Sequence, residues 1–246
     1  MKTLSKKQSS LFGMFETFEI EGIMDEERIQ EYSQNFNNVM AWISDLGHNV
    51  DILDLERGIV RAIYYPPWIK RESELLKSIL EDELGVELRF TYAFMTEYGP
   101  DSWMSPHCDR AACDVSVSVC VLQPKIWPLK YRVKSPRYDQ DSIDLQSELL
   151  PGEGLVYPGC DVLHWREPNV NEYSQQIFFH YTRIGGQRDV EHQNVLKVND
   201  LLRRTTNWIE EDPWSRGIVS NHLYDWRTKK LIPEDESKEY LEKYYD

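Results

Sequence analysis

The sequence is short of basic residues, of cysteine and of long apolar runs, and each shortage removes a class of function. Twenty-eight Lys and Arg stand against 42 Asp and Glu in 246 residues, a formal net charge of −14. Phosphate backbones and anionic membrane surfaces are held by clustered Lys and Arg. The composition therefore argues against nucleic acid and membrane as partners. The four cysteines, Cys108, Cys113, Cys120 and Cys160, include no Cys-x-x-Cys pair. That usage fits reduced thiols in a cytoplasmic protein. No stretch approaches 18 uninterrupted apolar residues, and MKTLSKKQSSLFGMFETF at the start has lysines but no apolar run or cleavage site. Neither a membrane span nor a signal peptide is expected.

What is present is material for one large core: 41% of residues are apolar and 12% aromatic. Residues 1–14 are polar and expected to be disordered. Between Met24 and Gly47, Ile29, Tyr32, Phe36, Val39, Met40 and Ile43 recur at three and four positions, with Asp25 a plausible start, so a helix is expected. A second helix is expected over 70–85, with Leu75, Leu76, Ile79, Leu80 and Leu84 on one face and Gly85 at its end. The period then changes to two. Leu88, Phe90, Tyr92 and Phe94 fall on one face of a strand, and Val115, Val117, Val119 and Val121 on one face of another, backed by Ser116, Ser118 and Cys120. GLVYPGCDVLHW and SQQIFFHYTR read as further strands, with turns at Gly99-Pro100, Pro151-Gly152 and Gly185-Gly186. Helices followed by several strands imply an α+β fold with a β-sandwich or jelly-roll core. VLKVNDLLRRTTNWIEED, residues 195–212, reads as helical, and the acidic end of the chain as solvated.

The chemistry lies in His107-Cys108-Asp109, followed 57 positions later by His164. In extended chain residues i and i+2 share a face, so His107 and Asp109 can point the same way while a neighbouring strand supplies His164. Two imidazoles and one carboxylate occupy one face of a metal ion and leave the other open, the ligand pattern of non-haem Fe(II) oxygenases.

TEYGPDSWMSPHCDRAACDVSVSVCVL and LLPGEGLVYPGCDVLHWREP together resemble the two metal-binding blocks of the Fe(II)- and 2-oxoglutarate-dependent dioxygenases, nearest the prolyl-4-hydroxylase-like branch. The likeness covers roughly residues 15–185. It implies a double-stranded β-helix core (jelly-roll, cupin-like) over 15–185 with supporting N-terminal helices, followed by a helical extension over 186–246 packed on the same domain. It implies His107, Asp109 and His164 as metal ligands and catalytic centre. Fe(II), 2-oxoglutarate and O2 would be the cofactors, with ascorbate as an optional reductant. A C–H bond of a peptide residue, amino acid or small metabolite would be hydroxylated, with release of succinate and CO2. Halogenating members lack the carboxylate, so Asp109 points to hydroxylation or a related oxidation.

The chain departs from this pattern at the co-substrate. A basic residue is usual about ten positions after the distal His, but Tyr173, Ser174 and Gln175 stand there. None offers a charge-assisted fork. Arg166, on the same strand face as His164, is the first replacement and Arg183 the second. Tyr98 stands where the family often has a tyrosine that bonds the co-substrate. Gln176 and His180 share a strand face and can line the pocket; His180 can equally be a satisfied structural residue. Lys125, Lys130, Arg132, Lys134 and Arg137 form a basic run that reads either as a solvated loop or lysine-protected edge strand, or as a docking surface for an acidic substrate. Two other functions fit the same triad: a cupin-like metalloenzyme working without 2-oxoglutarate, and a non-catalytic jelly-roll module, for which Cys108 or Cys160 would be the nearest candidates to close a structural metal site.

Overall fold

The computed structural model describes residues 5–7, 17–54, 57–134, 142–198, 216–219, 222–225 and 230–231. The two expected helices form. Helix α1 (Glu26–Asp45) is capped by Asp25, whose Oδ1 accepts the Arg28 amide at 3.1 Å. Helix α2 (Lys70–Leu84) ends at Gly85, with φ +66°, a left-handed conformation that only glycine adopts cheaply. Their apolar stripes, including Phe36, Met40, Ile43, Leu76 and Leu80, are buried against one face of a large sheet.

The strands, in chain order, are β1 (Ser5–Lys7), β2 (Phe18–Glu21), β3 (Ile52–Asp54), β4 (Gly58–Tyr64), β5 (Leu88–Tyr98), β6 (Met104–His107), β7 (Val115–Leu122), β8 (Leu129–Lys134), β9 (Ser142–Ser147), β10 (Gly154–Tyr157), β11 (Leu163–Arg166), β12 (Ser174–Arg183), β13 (Arg216–Val219), β14 (His222–Asp225) and β15 (Lys230–Leu231). The large sheet runs β1-β2-β10-β7-β12-β5-β4-β13-β14-β15, with β3 also on β4, and the small sheet runs β6-β11-β8-β9. Every pairing is antiparallel. The sheets close on a second core that takes Cys120, Leu155 and Tyr157 from the large one and Met104, Leu129, Tyr131 and Val133 from the small one.

Strand β7 shows why the site sits where it does. Its valines, Val115 to Val121 at alternate positions, join the core beneath the helices. Its intervening residues Ser116, Ser118 and Cys120 are also buried, so they face the space between the sheets. A half-apolar, half-polar strand covered on both sides thus turns its polar face to the chemistry.

Three expectations are corrected. The face shared by Leu88, Phe90, Tyr92 and Phe94 is split: the β5–β12 register shifts at Tyr181, which pairs with Phe90 while His180 pairs with Tyr92. Thr91 is the extra residue of a β-bulge, its Oγ1 lying 2.7 Å from the Ala112 carbonyl and 2.9 Å from that of His180. Leu88 and Phe90 therefore face the helices, and Tyr92 and Phe94 face the other way. At the N-terminus, Ser5–Lys7 pairs with β2; the rest of 1–14 lies outside the described residues. At the C-terminus, the helical part is α3 (Gln187–Val198). The described residues beyond it are strands, β13 extending the large sheet by pairing with β4, while 199–212 lies outside the described residues. No described helix is long and apolar enough to cross a membrane.

Candidate metal centre and its cavity

Strands β6 and β11 pair with His164 opposite His107, which puts the two imidazoles side by side, ring centroids 4.3 Å apart. Asp109 follows in an irregular segment tied down by its own amide, which donates to the Gly159 carbonyl at 2.8 Å. Nε2 of each histidine lies 3.6 Å from Asp109 Oδ1, and the three candidate ligand atoms fall within 4.8 Å of one another.

The hydrogen bonds fix what each ring offers. Nδ1 of His107 is 2.7 Å from the Ser105 carbonyl, and Nδ1 of His164 is 2.9 Å from the Val162 carbonyl. A carbonyl only accepts, so each Nδ1 carries the proton and each Nε2 presents a lone pair. Burial lowers the His164 pKa, against the pull of Asp109, and so favours the neutral ring. Burial also opposes the charge of Asp109, yet the imidazoles of His107, His164 and His180 around it outweigh that cost and hold the carboxyl at about 2. Asp109 Oδ2 accepts from the Ser116 hydroxyl at 3.1 Å. Gly159 completes the cradle: a Cβ there would sit 2.3 Å from Asp109 Oδ2 and 2.5 Å from Ser116 Oγ.

Two imidazoles and a carboxylate with no thiolate suit Fe(II). Neither cysteine that could close the shell does so. Cys108 is exposed, and the Cys160 thiol donates to the Arg110 carbonyl. A second trio, Asp109, Cys113 and His180, also lies within reach of one ion. Burial drives the Cys113 thiol pKa up, away from the thiolate a metal needs, and its sulfur is 3.0 Å from the Tyr92 hydroxyl.

The triad opens on a cavity of about 350 Å³ between the sheets, lined on the metal side by Ser105, His107, Asp109 and His164 and opposite by aromatic residues of β4, β5 and β12. Arg166 lies behind it, 3% exposed. Its guanidinium donates to the Trp127 carbonyl, meets Gln176 Oε1 at 3.3 Å and stacks on the Trp127 ring at 4.7 Å. Among the described residues no carboxylate pairs with it. Among the described residues four buried polar atoms of this interior have no partner: Arg166 Nε, Gln176 Nε2, Ser118 Oγ and His180 Nε2. Ser118 lies on β7 between Ser116, which holds Asp109, and Cys120, which pairs in register with Gln176. The interior thus runs from a ligand set for a cation to donors that lack an acceptor.

Of the other expected residues, Tyr98 is buried and lines the cavity. Gln176 meets Arg166. Arg183 is not brought in: its guanidinium pairs with Asp114 at 2.9 Å at the far end of β12. At the vacant positions, Ser174 bonds Asn169 and Asn171, and the buried Gln175 donates to Glu97 and to Asn37 of α1. His180 is half satisfied: Nδ1 is 3.0 Å from Ser116 Oγ, while Nε2 has no partner. In the basic run, β8 is not an edge strand, since β9 lies outside it. Lys130 pairs with Glu167, just past β11, and Arg132 with Asp144 of β9, so both charges are already paired. The side chains of Lys134 and Arg137 lie outside the described residues. Sequence reasoning missed Gly159, Ser116 and Arg110. The polar face of β7 carried a signal for Ser116; nothing local marked the other two.

No family model matches the sequence, and no curated protein matches it. Solved structures do share its shape. The non-haem alpha-ketoglutarate-dependent epimerase SnoN from nogalamycin biosynthesis aligns with a TM-score of 0.56 at 13% identity, over 71% of this chain and 80% of that one. A prolyl-4-hydroxylase from Pseudomonas putida aligns at 0.53 and 14% identity, over 70% and 95%. The alpha-ketoglutarate-dependent carbocyclase SnoK aligns at 0.56 and 10% identity, over 72% and 85%. At these identities the likeness establishes the fold, a double-stranded β-helix as expected.

Proposed function

We propose that this chain is an Fe(II)- and 2-oxoglutarate-dependent oxygenase that hydroxylates a C–H bond of a small molecule or peptide residue. The observation that carries the reading is the convergence of two Nε2 lone pairs and one carboxylate oxygen, each orientation set by a separate hydrogen bond. Fe(II) with 2-oxoglutarate and O2 would supply the oxidising power, with succinate and CO2 as products. The chain supplies the rest. Ser105 and Val162 hold the imidazole tautomers through their carbonyls, and Ser116 and Gly159 hold Asp109. Arg166, Gln176 and Ser118 offer donors to the far carboxylate of 2-oxoglutarate. A buried guanidinium without an anion costs several kcal/mol, so its lack of a carboxylate partner favours 2-oxoglutarate use over a triad enzyme that dispenses with it. The names of similar folds include an epimerase and a carbocyclase, so the fold leaves the outcome of oxidation open. Asp109, which keeps the triad complete, supports hydroxylation.

The test is a 2-oxoglutarate turnover screen with amino acids, peptides and ring-bearing small molecules. Succinate should form in air and one substrate should gain the mass of one oxygen, both abolished in His107→Ala. Succinate with no gain of oxygen in any product would retain the oxygenase centre and reject hydroxylation. Absence of succinate would reject both.

A further inference from the structure

The cavity wall opposite the metal has a pattern that the co-substrate does not use. Tyr64, Phe94 and Phe178 stand directly opposite one another across β4, β5 and β12. Their rings stack in file, with centroids 4.9 and 4.8 Å apart and planes 21° and 23° from parallel. Tyr92 and His180 form the next rung, 4.4 Å apart. Phe178 and His180 are buried, but Tyr64, Tyr92 and Phe94 are partly exposed, and all five line the cavity. Three aromatic rings left open beside a candidate metal centre forfeit burial that a core would have taken, the signature of a surface kept for a ligand. Rings stacked at the spacing of strands stand on the sheet and turn their edges to the cavity. Ring edges carry partial positive charge, so the surface they complement best is the face of another π system.

At the mouth of the same wall lies Arg110. Its guanidinium carbon is 4.8 Å from the Tyr92 ring centroid, and the residue is exposed and lines the cavity. A guanidinium laid on a ring keeps its N–H donors in its own plane, where they can fork onto a carboxylate. Arg110 directly follows the ligand Asp109, so the cation, the aromatic wall and the metal triad bound one space.

We infer that the substrate of this site is a flat, unsaturated ring compound carrying an acidic group, its ring face on the Tyr64–Phe94–Phe178 wall and its acid on Arg110. The inference rests on the oxygenase reading for what happens to the substrate, but its recognition elements stand without turnover.

The test is binding, by calorimetry on the full chain kept anaerobic with Fe(II) and saturating 2-oxoglutarate. Three probes separate the two features: 2-naphthoate (flat, acidic), 2-naphthamide (flat, neutral) and cyclohexanecarboxylate (acidic, not flat). 2-Naphthoate should bind at least tenfold more tightly than either. Arg110→Gln should weaken 2-naphthoate at least tenfold and leave 2-naphthamide within about twofold. Phe94→Leu should weaken both naphthyl probes and not cyclohexanecarboxylate. The neutral and non-flat probes serve as internal controls for folding. A wild-type protein that binds 2-naphthoate no better than cyclohexanecarboxylate, or an Arg110→Gln variant that loses both naphthyl probes equally, would overturn the inference. Failure of the oxygenase reading shows separately, as no visible absorption change when 2-oxoglutarate is added to the Fe(II)-loaded protein.

Discussion

At the scale of single residues, the candidate site depends on groups that touch no ligand. Gly159 has no side chain because Asp109, Ser116 and the Cys113 carbonyl already fill the space a Cβ would need. Gly159→Ala should therefore push Asp109 out of line with the two Nε2 atoms. The expected outcome is a loss of Fe(II) affinity of roughly ten- to a hundredfold, the range for residues that orient metal ligands, with the secondary structure retained by circular dichroism. The two arginines weighed from the sequence should separate cleanly. Among the described residues Arg166 is buried with no carboxylate partner, and Arg183 is committed to Asp114. Removing a charge-assisted contact costs about 2 kcal/mol, or roughly 30-fold. Arg166→Gln should raise the KM for 2-oxoglutarate by about that factor, and Arg183→Gln should leave it within about twofold of wild type. The reverse order would move the co-substrate to the other end of β12.

At the scale of elements, the helices are held to each other as well as to the sheet. The buried Glu72 of α2 accepts from the Tyr32 hydroxyl of α1 and pairs with Arg28 at 3.2 Å. Tyr32→Phe leaves a buried carboxylate short of a donor and should cost about 1–3 kcal/mol by denaturant unfolding. Burial raises the Glu72 pKa above its ordinary value, against the hydrogen bond from Tyr32. A carboxyl raised in the folded state binds protons that the unfolded chain has released, so this group's stabilising contribution is present at low pH and declines as pH rises through the folded pKa. The Tm of Glu72→Gln should accordingly gain on that of wild type as pH increases above the ordinary carboxylate range; a gap that narrows would reverse the sign. Both helices and the period-two strands were legible in the sequence because each follows a local repeat, and His107, Asp109 and His164, which the fold brings within reach of one ion, were singled out by a His-x-Asp spacing and a strand-like run that ends in the distal His. The bulge at Thr91 was not. It inserts one residue, leaves the alternation of Leu88 to Phe94 undisturbed in sequence, and yet sends Tyr92 and Phe94 to the cavity. Arg166 could be placed on the face of His164 by period two. Its meeting with Gln176, and the removal of Arg183 by Asp114, depend on which strands are neighbours, which no local pattern encodes.

At the scale of the whole molecule, two sheets and an outer pair of helices divide the labour. The helices cover one face of the large sheet with Val, Ile and Phe contacts, which leaves the inner face of β7 and β12 to Ser, Gln and His. The molecule carries a net charge of −14, but among the described residues Asp109 is the one acid that lines the cavity, beside Arg57 and Arg110. On the proposed reading, a dianion such as 2-oxoglutarate would approach an acidic surface and meet these two arginines at the cavity. Salt screens the distant repulsion more than the enclosed contacts. Raising ionic strength from about 0.01 M to about 0.1 M shortens the Debye length from about 30 Å to about 10 Å and should lower the KM for 2-oxoglutarate; a rise would mean that the arginines govern the approach.

The most direct measurement of the central claim is an anaerobic titration of the Fe(II)-loaded protein with 2-oxoglutarate, followed by visible absorption. A weak charge-transfer band should grow to saturation in wild type, be absent in His107→Ala and His164→Ala, and need roughly 30-fold more 2-oxoglutarate in Arg166→Gln. A wild-type protein that gives no band under these conditions, and no succinate when air is admitted, would contradict the assignment of His107, Asp109 and His164 as the iron site of a 2-oxoglutarate-dependent oxygenase.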